Sequence, residues 1–105
     1  MIKGVDATIS EDKGTISICG DLDSEFSASM LSDAFELLCQ KGARTIVLDL
    51  REVELINAYG ISKILLCEQR MRADRGVLMV KPLAGYVKET FERLKIDSLL
   101  PIDNG

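Results

Sequence analysis

Asn57-Ala58-Tyr59-Gly60 is the stretch of this chain where residue types and position come closest to doing chemistry. It lies between the apolar run Thr45–Leu50, extended by Val53-Glu54-Leu55, and a helical pattern that begins at Ile61. A strand that ends at a helix N-terminus presents free backbone N–H groups and the positive end of a dipole. Anions and phosphorylated side chains favour that position. A hydroxyl there would make chemical sense, yet position 58 is alanine. Gly20-Asp21-Leu22-Asp23-Ser24 is a second polar stretch, with two carboxylates and a hydroxyl. In a chain with 17 acidic residues, two neighbouring ones need no role.

Other chemistries find little to stand on. Histidine is absent, which removes the commonest general base and the commonest metal ligand. Serine and cysteine nucleophiles would therefore lack a histidine activator. No Gly-rich phosphate loop is present, so neither a nucleotide nor another cofactor is expected. Cys19, Cys39 and Cys67 are far apart and odd in number, and no pair has metal or redox spacing. Each falls in an apolar pattern, which reads as small buried hydrophobes in a reducing cytoplasm. The expectation is a protein that is not an enzyme and has no catalytic, cofactor or metal residues.

The elements that must hold the 57–60 stretch follow from composition and period. The chain has 105 residues, 47% apolar and 29% charged, as expected of a single domain spanning 1–105 with one core. Its net charge of −4 argues against nucleic-acid binding. The acidity lies in residues 1–50, with 4 basic and 9 acidic side chains, against 9 and 8 in residues 51–105. No apolar run approaches bilayer length, so no membrane insertion is expected.

Val5–Ile9 and Thr15–Cys19 alternate across the polar turn Glu11–Gly14 and predict a hairpin. Gly20–Ser24 breaks the pattern, and either Asp23 or Ser24 can cap the helix that follows. Phe26, Met30, Leu31, Ala34, Phe35 and Leu38 recur at helical spacing and predict a core stripe, with Gly42 as its stop. Arg44–Leu50 is nearly continuous in Ile, Val and Leu, as in a strand covered on both faces. Asn57 is a good N-cap for the next helix, where Ile61, Ile64, Leu65, Cys67 and Met71 share a face and Leu66 lies outside it. Arg70, Arg72 and Arg75 crowd the last turn of that helix and Gly76 ends it. Val77–Val80 predicts a short strand, and Val87, Phe91 and Leu94 a third amphipathic helix. Ile96–Ile102 predicts a closing strand, and Asp103–Gly105 a frayed tail. The resulting class is α/β, order β-β-α-β-α-β-α-β, one mixed sheet with helices packed against it.

Four motifs in this order resemble a known family. Gly20-Asp21-Leu22-Asp23 resembles the Gly-Glu-Leu/Ile-Asp of STAS domains. Ile46–Leu50, with Val53 and Ile56, resembles their central strand. Asn57-Ala58-Tyr59-Gly60 falls on their Asp-Ser-Ser/Thr-Gly, and Lys95–Ile102 resembles their closing Gly-Leu-x-x-Leu-Leu-Pro-Val/Ile. The chain is most similar to the small anti-sigma factor antagonists of bacteria.

The resemblance implies partner switching in transcription regulation. In that family an unphosphorylated antagonist binds a serine-kinase anti-sigma factor. Phosphorylation of the loop's first serine ejects it, since a phosphoserine adds about −1.5 to −2 charges to a packed interface. Three residues depart from the pattern: Ala58 at the phosphoserine position, Asn57 for aspartate, and Ser62 for the second glycine. Either the loop has drifted, or Ala58 fixes the domain in the unphosphorylated state. Under both readings the phosphoswitch at 58 is lost. Tyr59, Ser62, Ser24 and Ser27 are the other hydroxyls to weigh, and Tyr59 reads better as a contact residue than as an acceptor. The expected partner surface comprises Asp21, Asp23 and Ser24 with Asn57, Ala58, Tyr59, Gly60 and Ser62. The alternatives are a STAS subunit of a membrane transporter, of the lipid-exporting ATPase type, and a small-ligand or nucleotide sensor.

Overall fold

The two alternating N-terminal runs pair as a hairpin, and the pairing extends further than their alternation indicates. The computed structural model describes residues 1–105. β1 (Ile2–Ser10) and β2 (Lys13–Leu22) are antiparallel, joined by the two-residue turn Glu11-Asp12. The Gly20-Asp21 stretch does not end β2. The strand absorbs it as irregularities in its pairing with the next strand, and Gly20 takes φ +101°. A Cβ on Gly20 would lie 2.5 Å from the Met1 carbonyl oxygen, so glycine is required there.

α1 (Glu25–Gln40) follows, then β3 (Thr45–Ile56), α2 (Ala58–Ala73), β4 (Val77–Val80) and α3 (Gly85–Arg93). The sheet order is β1-β2-β3-β4, with β2, β3 and β4 mutually parallel. The expected α/β class and mixed sheet are thus present, in the order β-β-α-β-α-β-α. The last predicted strand shrinks to a 3₁₀ turn, Asp97–Leu99, and a single bridge between Val80 and Ile102. Pro101 supplies its carbonyl to Val80 N–H but has no N–H to extend a ladder.

β3 is the centre of the molecule. Ile46 and Leu48 point toward α1 and α2, while Val47 points to the opposite face, and all three are fully buried. α3 packs against β3, so both faces of the strand are covered, as its near-continuous apolar sequence implies. Ile16, Ile18, Leu22, Leu31, Leu38 and Ile64 complete the interior around it.

Several expected core positions lie outside it. Phe26 is 68% exposed and Met30 half-buried, so the α1 core stripe is Ala28, Leu31, Phe35 and Leu38 instead. Leu94 is exposed because α3 ends at Arg93, leaving Val87 and Phe91 as its anchors. Leu66 is exposed, as expected. Of the cysteines only Cys67 is buried. Burial pushes its thiol up to about 12, while Cys19 and Cys39 are half-buried. Asp103 is not frayed: its carboxylate lies 3.4 Å from Lys13 Nζ and 3.3 Å from Lys81 Nζ, and its N–H donates to the Val80 carbonyl.

Helix ends show where sequence signals were displaced. α2 stops at Ala73, and Arg75 rather than Gly76 takes the left-handed conformation, φ 62°. Lys95 does the same after α3, φ 59°, while Ile96 N–H donates to the Phe91 carbonyl. A left-handed non-glycine residue costs roughly 1–2 kcal/mol, part of which glycine's greater unfolded-chain freedom would offset. Lys95→Gly is therefore expected to stabilise the protein by about 0.5–1 kcal/mol, read as a raised urea midpoint with an unchanged m-value. A lowered midpoint would mean that the Lys95 side chain contributes something its exposure does not suggest.

Candidate functional site

The connection between β3 and α2 is a single residue. β3 runs to Ile56 and α2 begins at Ala58, so the expected loop is only Asn57. Ala58, Tyr59 and Gly60 belong to the first helical turn, three residues before the apolar periodicity begins. The period could not show this, because the residues of a first turn need not contribute to the buried face.

Asn57 holds the junction with both ends of its amide. Oδ1 accepts from the Tyr59 N–H at 3.0 Å, which caps the helix. Nδ2 donates to the Asp23 carbonyl at 2.9 Å, which ties the end of β2 to the start of α2. An aspartate could cap but could not donate, and its charge would face a carbonyl oxygen. Asparagine at 57 thus makes a bond that a carboxylate could not make. Asn57→Ala is expected to cost about 1–2 kcal/mol, and Asn57→Asp about 1 kcal/mol, by urea denaturation. If Asn57→Asp were neutral, the Asp23 bond would contribute nothing.

Gly60 brings the two elements into contact. A Cβ there would sit 2.5 Å from the Leu22 carbonyl oxygen and 2.7 Å from Leu22 Cγ. The end of β2 therefore lies directly against the first turn of α2. Beside it, Ser24 caps α1: its Oγ accepts from the Ser27 N–H at 3.0 Å, and Ser27 Oγ accepts from the Ser24 N–H at 3.0 Å. This reciprocal cap decides between Asp23 and Ser24. It also engages both hydroxyls, with Ser27 fully buried.

The N-terminal halves of α1 and α2 flank a shallow groove of about 510 Å³. Ala58, Tyr59 and Ser62 line one side, with Lys63 and Leu66. Glu25, Ala28, Ser29 and Ser32 line the other. Ala58 is exposed, its methyl group at the first helical position. Tyr59 and Leu66 are 54% and 55% exposed and give the groove a rim of aromatic and aliphatic surface. Glu25 and Lys63 give it one charge of each sign. Among the expected site residues, Ala58, Tyr59 and Ser62 meet in the groove. Asn57 and Gly60 build it from beneath, while Asp23 and Ser24 adjoin it through their hydrogen bonds. Asp21 turns elsewhere, to an ion pair with the amino group of Met1.

The α1 wall was not foreseen as part of the site. Its signal was available in the short side chains of Ala28 and Ser29, with Ser32 one helical turn further on, which leave room between two helices. No three His, Cys, Asp or Glu side chains converge to hold a metal ion. No helix is long and apolar enough to cross a membrane.

Comparison with known proteins identifies the family of this fold. A family model described as "Mlab, STAS domain" matches residues 5–101. BtrV of Bordetella bronchiseptica, described as an anti-sigma factor antagonist, is 31% identical over 78 residues, covering 74% of this chain and 67% of that one. Among solved structures, a Thermotoga maritima protein described as an anti-sigma factor antagonist superposes with a TM-score of 0.80 at 18% identity, covering 96% of this chain and 86% of that one. The phosphorylated form of the Bacillus cell fate determinant SpoIIAA superposes with a TM-score of 0.75 at 12% identity, covering 96% and 92%. At those identities the structures speak for the fold alone. The fold, the helix capped by Asn57 at the end of the central strand, and the match over 5–101 place this chain in the STAS domain family, with the architecture of the anti-sigma factor antagonists.

Proposed function

We propose that residues 1–105 form one non-enzymatic interaction domain that binds a serine-kinase anti-sigma factor in the cytoplasm and so regulates transcription. The partner would dock on Tyr59, Ser62 and Leu66, with Asp23 and Ser24 beside them. The observation that carries this reading is the exposed rim of Tyr59 and Leu66 around a groove at two helix N-termini. Large apolar side chains are exposed there beside polar groups, as in the contact centre of many interfaces. The relationship to BtrV supports the partner class.

In this reading Ala58 removes phosphate control. The methyl group stands where the family's phosphoserine stands, and it has no oxygen to accept a phosphoryl group. Incubation with the cognate kinase and ATP is expected to leave the chain unmodified and bound. Ala58→Ser is expected to take up phosphate and to release the kinase. Stoichiometric phosphate on Tyr59 or Ser62 of the unaltered chain, read by mass spectrometry, would overturn the fixed-state reading.

The same alanine favours one second reading. A STAS subunit held permanently on the nucleotide-binding subunit of a membrane transporter has no need of a phosphoacceptor. Binding of a purified transporter ATPase subunit, lost in Tyr59→Ala, in place of an anti-sigma factor would establish this alternative.

A further inference from the structure

We propose that this chain pairs with a second copy of itself through the free edge of β1, antiparallel, about a two-fold axis at Ala7. The inference is independent of the groove and its partner. β1 is the outermost strand of the sheet, nine residues long. None of the turn, loop or cap hydrogen bonds uses the backbone of Ile2–Ser10. Ser10 pairs with Lys13 across a two-residue turn, so alternate residues from Ser10 back to Gly4 spend their N–H and C=O groups on β2. Val5, Ala7 and Ile9 then aim theirs outward. Such an edge is a template for another strand.

The helix above that edge explains the misplaced part of the α1 stripe. Phe26, Met30, Ala34 and Leu37 recur at helical spacing, and Phe26 and Leu37 are 68% and 44% exposed. Met30, Asp33, Ala34 and Leu37 line an apolar groove of about 360 Å³ with Val5 and Ala7. This flank of α1 is opposite the one that faces α2. An unpaired strand edge thus runs beside an uncovered apolar helix face.

The sequence of β1 selects a second copy as the occupant. Pairing about Ala7 sets Val5 opposite Ile9, both apolar and on the helix side of the sheet, and Asp6 opposite Thr8. Beyond the two ends of that overlap, Lys3 at the bulge of β1 in one copy comes near Glu11 in the turn of the other, so opposite charges flank the seam. A two-fold at Asp6 would place two carboxylates face to face, and one at Thr8 would shorten the overlap to residues 6–10. The Ala7 register alone combines a long overlap, a continuous apolar face and opposite charges beyond each end. α1 packs over β1 and β2. Seated midway, it lies about one strand spacing, ~4.8 Å, from the seam, so the two copies of α1 come about 10 Å apart, a helix-contact distance. The groove between α1 and α2 stays open in each copy.

Sedimentation equilibrium of the full chain tests this. The expected result is a reversible dimer at twice the 11.6 kDa chain mass. Lys3→Glu brings like charges together beyond both ends of the overlap and is expected to weaken the dimer about fivefold or more, and Lys3→Glu with Glu11→Lys to restore it. Ala7→Pro removes an outward N–H without touching the β2 ladder, and is expected to give a monomer with native circular dichroism. Should Ala7→Pro fail to fold, the charge exchange still decides. A chain that stays monomeric at every concentration, or a dimer that Lys3→Glu leaves unchanged or the double exchange fails to restore, overturns the proposal.

Discussion

Gly60→Ala is expected to cost about 3 kcal/mol of stability, lowering Tm by roughly 10–20 °C. The added Cβ would meet the Leu22 carbonyl oxygen at 2.5 Å, Leu22 Cγ at 2.7 Å and Ile56 Cγ1 at 3.0 Å. Two of these neighbours are buried core side chains and the third is backbone inside the sheet, so none can swing away. The first turn of α2 would have to lift from the end of β2. That movement pulls on the Asn57 N–H to Leu22 bond, already 3.4 Å long, and on the Asn57 amide bond to Asp23. The loss should therefore appear in function as well, as weaker binding of whichever partner uses Tyr59. Thermal and urea denaturation give the first number and titration calorimetry the second. Gly4→Ala is the control, since nothing lies within 4 Å of its added Cβ. Equal costs at the two glycines would refute the close-approach argument.

Phe91→Ala is expected to cost about 3–5 kcal/mol. Phe91 is fully buried and is the largest such side chain in the protein. It sits on α3, a nine-residue helix with no side-chain cap at its N-terminus. So short a helix is not stable alone, and its docking depends on Phe91 and Val87. Removing the ring leaves a cavity between α3 and the rest of the core and exposes the covered face of β3. Hydrogen exchange should show amides of 85–93 losing protection before those of β2 and β3. If protection fell uniformly instead, α3 would be part of a single cooperative unit rather than a separately docked element. Tyr86→Ala, at an exposed position of the same helix, is expected to change stability by less than about 1 kcal/mol.

The contrast between these two residues reflects how much of the molecule could be read in advance. Phe91 announces itself by helical spacing with Val87. Gly60 does not, because a glycine in a sequence says nothing about which carbonyl lies above it. The same limit applied to Phe26, which joins the α1 periodicity yet faces away from the core. A stripe wider than the core needs cannot be divided by its period alone, and the division depends on where the sheet beneath the helix ends.

By itself the sequence determined the first seven elements, their order, the Asn57 cap and the missing hydroxyl at Ala58, but not the closing segment, where the expected strand is a single bridge. These depend on local periodicity, on residue-specific backbone preferences and on side-chain chemistry, all of which act within a few residues. Only the tertiary structure decided that the Asn57 amide reaches back to Asp23, that Asp21 leaves the site, and that Ala28, Ser29 and Ser32 form its second wall. It also decided that Asp103 is pinned between Lys13 and Lys81. Each of these joins residues distant in the chain, across elements whose relative placement is set by the packing of Ile16, Leu48 and Ile64 in the common core. Local patterns specify which surfaces a segment must bury, and the meeting of those surfaces specifies which distant groups become neighbours.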